Sequence, residues 1–356
     1  MMTPHASPLA RYLLAAYLLL VVYGSLYPLA GWRDQGLSPF AFLAAALPRY
    51  FTWFDIALNV AAYLPLGLLA VLALAPRVNG AAAALIATAG ATAVSLLLET
   101  AQSYLPERIA SNADLAANAV GAAIGALAGL AIAGHLAPEA GLRRVRARLF
   151  GAGHGVDLGL VLLGLWLFTQ LNPETLLFGN GDLRGLIGGA TPELYPAETF
   201  VRIEAGVAAA NVVAVALFVA LLVAADGPRR RIAATAIVAA LAGRTVAFAI
   251  LFEPQAAFAW LTPGAASGLA LGSVVALAAV GFPRAGTVAL CGLALMAATA
   301  LVNLAPENPY LVHSLAVWWQ GHFFNFNGLT RTVSTLWPFA ALVYLLAMAT
   351  RARVSR

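Results

Sequence analysis

SLLLETAQSYLPERIASNADLAANAVGAAIGALAG, Ser95–Gly129, decides the fold. It joins two apolar helical patterns across a short polar turn. Before the turn, Thr88, Thr92, Ser95, Glu99 and Gln102 recur at steps of four, three, four and three, so they share one helix face. After it, Asp114, Asn118, Gly121, Gly125 and Gly129 share a face in the same way. Pro106, Arg108 and the Ser111-Asn112 pair supply the stop and the restart. The spacing predicts a hairpin whose polar faces turn toward each other near one end. Glu99, Gln102, Glu107, Arg108, Asp114 and Asn118 crowd that end, and in so apolar a chain such residues are costly.

The surrounding composition sets the class. The chain has 356 residues, 62% of them hydrophobic and 10% charged, where a soluble domain carries about 25% charged residues. Mean hydropathy is +0.86. This reads as an all-α, polytopic transmembrane helical bundle. All 20 basic residues are arginine, which with the abundant alanine points to a GC-rich bacterial genome. The arginines are spread among loops, so the net charge of +5 is not a nucleic-acid footprint. The single Cys291 lies in an apolar run, which excludes disulfides and cysteine-built metal sites. No cofactor is expected.

Spans of about 20 apolar residues are expected at 9–29, 54–75, 80–104, 112–134, 156–172, 198–225, 231–252, 256–280, 285–304 and 332–350. The first is read as retained, because its apolar core from Tyr12 to Leu29 exceeds a typical signal-peptide core. With the N-terminus inside, the inner segments hold Arg11, Arg77, Arg143, Arg144, Arg146, Arg148, Arg229, Arg230, Arg231, Arg284, Arg351, Arg353 and Arg356. The outer loops hold Arg33, Arg49, Arg108, Arg184 and Arg331. This asymmetry predicts cytoplasmic termini and a bacterial inner-membrane location. It divides the chain into a four-span part, 1–136, a basic linker, 137–155, and a six-span part, 156–356.

The same topology puts the hairpin turn at the outer leaflet. The second span begins there too, with Asp55 and Asn59 one turn apart. Asp55, Asn59, Glu99, Gln102, Arg108, Asp114 and Asn118 are therefore expected at one level, as a polar ligand pocket. Residues 37–53 read as an interfacial or re-entrant helix. Residues 305–331 read as an outer loop anchored by Trp318, Trp319, Phe323, Phe324 and Phe326. His313 and His322 in that loop lack metal-ligand spacing. Arg244 lies inside a span and calls for a carboxylate such as Glu198, Glu204 or Glu253. Arg202 follows Glu198 by one turn and can pair with it. Internal repeats are weak, limited to Leu64-Pro65-Leu66-Gly67 against Trp337-Pro338-Phe339-Ala340.

The combined pattern of Asp55-x-x-x-Asn59 with Leu64-Pro65-Leu66-Gly67, Glu99-x-x-Gln102, and Arg108 before Asp114-x-x-x-Asn118-x-x-Gly121-x-x-x-Gly125 resembles the VanZ-like family. The likeness covers about residues 50–130. The family is named for a membrane protein linked to low-level resistance to the glycopeptide teicoplanin. The resemblance implies a role in the bacterial cell envelope and supplies no biochemical activity.

Each polar feature also has a structural reading. Tandem G-x-x-x-G lets helix backbones approach. Glu99 and Arg108 can close the hairpin as an ion pair, and Asp114 can serve its helix's N-terminal dipole. The functional expectation is a pocket that holds an amphiphilic, lipid-linked or glycopeptide-type ligand beside the lipid bilayer, with no nucleic-acid partner. A membrane enzyme using the carboxylates on a lipid or lipid-linked glycan is the alternative, and a transporter the second.

Overall fold

The computed structural model describes residues 8–36, 38–46, 52–75, 77–135, 141–187, 195–252, 254–305 and 324–354. The chain divides into two compact units, Met1–Ala147 and Arg148–Arg356. No strand occurs among the described residues.

The first unit is built from α1 (Leu9–Leu26), α2 (Trp53–Leu74), α3 (Gly80–Gln102) and α4 (Asn112–His135), followed by the short basic α5 (Gly141–Leu149). The four long helices are apolar enough to cross a membrane. α1 runs antiparallel to α2: Arg11 Nε donates to the Ala73 carbonyl at 3.3 Å, and the Tyr17 hydroxyl donates to the Ala62 carbonyl at 2.9 Å. α2 and α4 run parallel and pack backbone to backbone. A Cβ added at Gly121 would meet the Val60 carbonyl, one at Gly125 the Leu64 carbonyl, and one at Gly67 the Ala122 carbonyl. At Gly129 the Leu68 carbonyl would stand 2.9 Å away. The glycine face is thus the seam of this unit, as small-residue faces are between membrane helices.

The second unit holds α6 (His154–Thr169), α7 (Arg184–Ile187), α8 (Ala197–Leu222), α9 (Arg229–Leu251), α10 (Pro263–Ala279), α11 (Arg284–Leu304) and α12 (Phe324–Val354). α8 is its centre. From Asn211 to Leu222 every residue is buried, which suits a helix that is apolar all round. α10 lies parallel to α8 along a second glycine face. A Cβ at Gly264 would stand 2.7 Å from the Val201 carbonyl, one at Gly272 would stand 2.7 Å from the Ala209 carbonyl, and one at Gly268 would meet the Ala205 carbonyl. Both seams are cut from one pattern, GAAIGALAG at 121–129 and GAASGLALG at 264–272. In each unit a helix, an antiparallel neighbour and a third helix bring the first and third together through glycines four apart. This echo is stronger than the one read from the Pro65 and Pro338 segments.

Helices stand at all ten expected positions. Eight have the length and hydropathy to cross a membrane, while α6 and α10 have 16 and 17 residues. Of the interfacial helix expected over 37–53, residues 37 and 47–51 lie outside the described residues; the described part holds one 3-10 turn, Ala41–Ala44, with Phe42 buried. The histidines His313 and His322, the anchors Trp318, Trp319 and Phe323, and Arg49 lie outside the described residues.

The seam gives a sharp test. Gly125→Ala forces α2 and α4 apart and is expected to cost on the order of 1–3 kcal/mol, read as a lowered thermal midpoint in detergent. Gly90, on α3, has nothing within 4 Å of its Cβ position. Gly90→Ala is expected to leave the midpoint unchanged or raise it.

Candidate functional site

α2 and α4 start side by side with one sequence device. Thr52-Trp-Phe-Asp55-Ile-Ala-Leu-Asn59 and Ser111-Asn-Ala-Asp114-Leu-Ala-Ala-Asn118 share a hydroxyl residue, an aspartate and an asparagine at the same spacing. The hydroxyl residue starts each helix by accepting from first-turn amides that have no partner within the helix. In α2 the arrangement is reciprocal. The Asp55 N–H donates to Thr52 Oγ1 at 3.1 Å, and the Asp55 carboxylate accepts from the Thr52 N–H at 3.1 Å and its hydroxyl at 2.7 Å. That is a capping box with aspartate in place of glutamate.

In α4 the reciprocal half is taken by another residue. Ser111 Oγ accepts from the Ala113 and Asp114 amides at 3.2 and 3.3 Å. The Ser111 N–H, however, donates to Glu99 Oε2 at 2.8 Å. Glu99 comes from the last turn of α3 and is buried. It does for Ser111 what Asp55 does for Thr52, so the Asp114 carboxylate is not drawn back into its own cap. Asp114 faces the charge of Asp55, and Glu99 the charges of Asp114 and Arg108.

One turn deeper, Asn118 Nδ2 donates to Ser95 Oγ at 2.9 Å. Its Oδ1 is buried and accepts no hydrogen bond from the described residues. Tyr63 of α2 lies beside Ser95, which brings polar groups of α2, α3 and α4 into one buried cluster. Tyr63, Ser95, Glu99 and Asn118 are all buried, and Asn59 is half-buried on α2.

Gln102 and Arg108 act on α1. Gln102 Nε2 donates to the Ser25 carbonyl at 2.9 Å. Arg108 donates from Nε and Nη2 to the Tyr27 carbonyl at 3.1 and 2.7 Å, and from Nη2 to the Gly24 carbonyl at 3.3 Å. Three orphan carbonyls at the C-terminal end of α1 are thereby satisfied. Burial holds the Arg108 guanidinium below its ordinary pKa, against the opposing charges of Glu107 and Glu99. The sequence reading takes Ser111 as turn chemistry and omits Thr52 and Tyr63. The recurring hydroxyl-x-x-Asp-x-x-x-Asn pattern is the signal that finds Thr52, whereas nothing local marks Tyr63.

The second unit carries buried polar groups of its own. Arg244 is 2% exposed. It donates to the Asn172 carbonyl at 3.2 Å, to Thr175 Oγ1 at 3.4 Å and to the Thr175 carbonyl, and it lies over the Phe248 ring. The expected carboxylate is Glu204, which acts on Arg244 through its charge, while the hydrogen bonds go to the chain after α6. Arg202 pairs with Glu198 at 3.6 Å as its spacing implies, on an exposed face. Arg184 pairs with Asp182 at 2.6 Å and Arg331 with Glu174 at 3.9 Å. Among the described residues no three His, Cys, Asp or Glu are grouped to hold a metal ion.

Long apolar helices joined by short polar turns, with polar groups gathered at helix ends, define a multi-pass helical membrane protein. Residues 13–133, which contain the whole capped network, match the VanZ/LLP1 family. This part of the chain is similar to that family, and the match covers about a third of the chain. No curated protein and no solved structure matches the chain.

Arg108→Gln removes the two-point grip on Tyr27 and is expected to cost roughly 1–3 kcal/mol. The thermal midpoint should fall, and limited proteolysis should quicken between α1 and α2. An unchanged midpoint and cleavage rate would mean that Arg108 does not secure α1.

Proposed function

We propose that the capped end of α2, α3 and α4 is a ligand site of a bacterial envelope protein, facing the outer leaflet of the inner membrane. It takes the polar part of an amphiphilic, lipid-linked or glycopeptide-type molecule whose apolar part stays in the bilayer. The observation that carries this reading is the substitution of Glu99 for Asp114 in the α4 cap. A helix start that closes on itself, like that of α2, needs no third carboxylate from a neighbouring helix. Here the arrangement leaves Asp114 beside Asp55 with Asn118 one turn below. Those groups accept hydrogen bonds and carry negative charge, while Arg108 is engaged by α1. The ligand surface they suit is rich in hydroxyl and ammonium groups.

The Asp55–Asp114 pair also favours a second reading, a membrane enzyme on a lipid or lipid-linked glycan. Two carboxylates that feel each other's charge can divide acid and base roles. Release of a product from a lipid-linked glycan by the purified protein would select this reading over binding alone.

The test compares Glu99→Gln and Asp114→Asn in cells whose teicoplanin susceptibility depends on the protein. Both variants keep side-chain size and remove charge. The expected result is loss of the phenotype at normal protein abundance and a thermal midpoint near that of the wild type. A phenotype that stays normal in both well-expressed variants would reduce the network to helix capping.

A further inference from the structure

We propose that the second unit holds a phosphate-binding cleft at the end of its helices where α8 and α10 finish and α9 and α11 begin. A cavity of about 510 Å³ lies there, lined by Ala225, Gly227, Pro228, Arg229, Arg230, Arg231, Val280 and Gly281. Cations gather there without an equal number of acids. Residues 225–231 contain three arginines and one carboxylate, Asp226, a local balance of +2. Arg284 follows Gly281 by three residues at the start of α11.

Membrane proteins place arginines at one interface as a rule of insertion, and that alone needs no cavity. Three features go beyond it. The arginines line an open groove together with Val280 and Gly281. They occupy the first turn of α9, a 23-residue helix whose leading amides lack helical acceptors. Arg229 Nε is buried and has no hydrogen-bond partner, and a guanidinium nitrogen out of water calls for an acceptor. A tetrahedral phosphate offers oxygens to several guanidinium forks and to backbone amides together, which a single carboxylate does not. The site is far in chemistry from the first unit's capped end, where the exposed charges are carboxylates.

Two sources can present that chemistry, the headgroup of an anionic phospholipid and soluble phosphate or a phosphate ester. The arginine distribution assigns this end to the cytoplasmic side, where anionic headgroups contribute on the order of fivefold in affinity for each nearby arginine. The lipid headgroup is therefore the expected source.

The test uses the full-length protein in nanodiscs of phosphatidylcholine with one-fifth phosphatidylglycerol. Native mass spectrometry after release reads which lipid stays bound. The wild type is expected to retain phosphatidylglycerol several-fold above its share of the bilayer. Replacing Arg229, Arg230 and Arg231 by Gln should return retention to the bulk ratio, but this change also removes insertion signals. Gly281→Phe avoids that confusion. Its Cβ position has only Arg230 Nη2 nearby, at 4.0 Å, so the ring enters the cleft while every arginine remains. Gly281→Phe should abolish the enrichment with the thermal midpoint unchanged. A parallel arm adds 10 mM inorganic phosphate to discs of phosphatidylcholine alone, at constant ionic strength. A rise in midpoint that Gly281→Phe removes, without lipid enrichment, would assign the phosphate site to a soluble ligand. Enrichment that survives Gly281→Phe, or neither enrichment nor a midpoint rise in the wild type, overturns the proposal.

Discussion

A helix that ends inside or beside a bilayer leaves amides at its start and carbonyls at its finish with no water to take them. That constraint organises the first unit. The C-terminal carbonyls of α1 are met by Gln102 and Arg108, the amides at the start of α2 by Thr52 and Asp55, and those at the start of α4 by Ser111 and Glu99. Thr52, Asp55 and Ser111 cap their own helices, while Gln102, Arg108 and Glu99 come from a different turn or a different helix. The polar end is therefore a closed system of mutual capping, and it holds α1, α3 and α4 together where apolar packing is thinnest. The hydrophobic effect cannot do this work between helices whose surroundings are as apolar as they are.

The other half of the arrangement is close backbone approach. α2 and α4 meet through Gly67, Gly121, Gly125 and Gly129, and the contact lets two parallel helices keep their first turns at one level. Only with that registry do the two hydroxyl-x-x-Asp-x-x-x-Asn segments lie beside each other. A bulkier seam would separate Asp55 from Asp114 and leave two ordinary caps. The glycines in this sense position the polar end without adding a polar group to it. The second unit repeats the seam between α8 and α10 but not the caps. α10 starts with Thr262 accepting from the Ala265 amide at 3.0 Å and proline in the first turn, and α8 starts after Pro196. The shared glycine pattern thus serves packing in both units and a polar end in one.

Much of the fold was legible because its signals are local. The stripe Ser95-Glu99-Gln102, the restart at Ser111 and the glycines of α4 are each periodic within one helix, and ten helices stand where apolar length placed them. The polar residues at this end were legible as a set and not as partners. Spacing brings Glu99 and Arg108 to one turn, yet Glu99 bonds Ser111 while Arg108 reaches Tyr27 and Gly24, about eighty residues earlier. Only the packing of α1 against that turn decides this, and no periodicity reports it. Arg244 shows the same limit. Its depth in α9 demanded a counter-charge, and Glu204 is near, but its donors go to Asn172, the last residue of the expected span 156–172, and to Thr175 just beyond it. The expected helix over 37–53 failed for a different reason. Apolar aromatic sequence marks affinity for the interface, and among the described residues of the stretch only Ala41–Ala44, just after Pro39, forms a regular turn.

Capping also narrows what the polar end can offer a ligand. A group already bound at a helix terminus can be recruited only by undoing that terminus, at a cost of about 1 kcal/mol or more for a cap. Arg108, Gln102 and Asp55 are in that position, and so is Glu99. Asp114 and the Asn118 carbonyl oxygen are not, since the first has been displaced from its cap and the second faces no donor from the described residues. On the proposed reading, a ligand that reaches this end meets acceptors first, with Asp55 close enough to add its charge. Acceptors and negative charge in a low-dielectric setting discriminate by what is left unpaired. A hydroxyl- or ammonium-bearing molecule satisfies them, whereas an anionic one would add a like charge to a pair that already repels. The same capping chemistry that holds the helices together thus sets the polarity of the site.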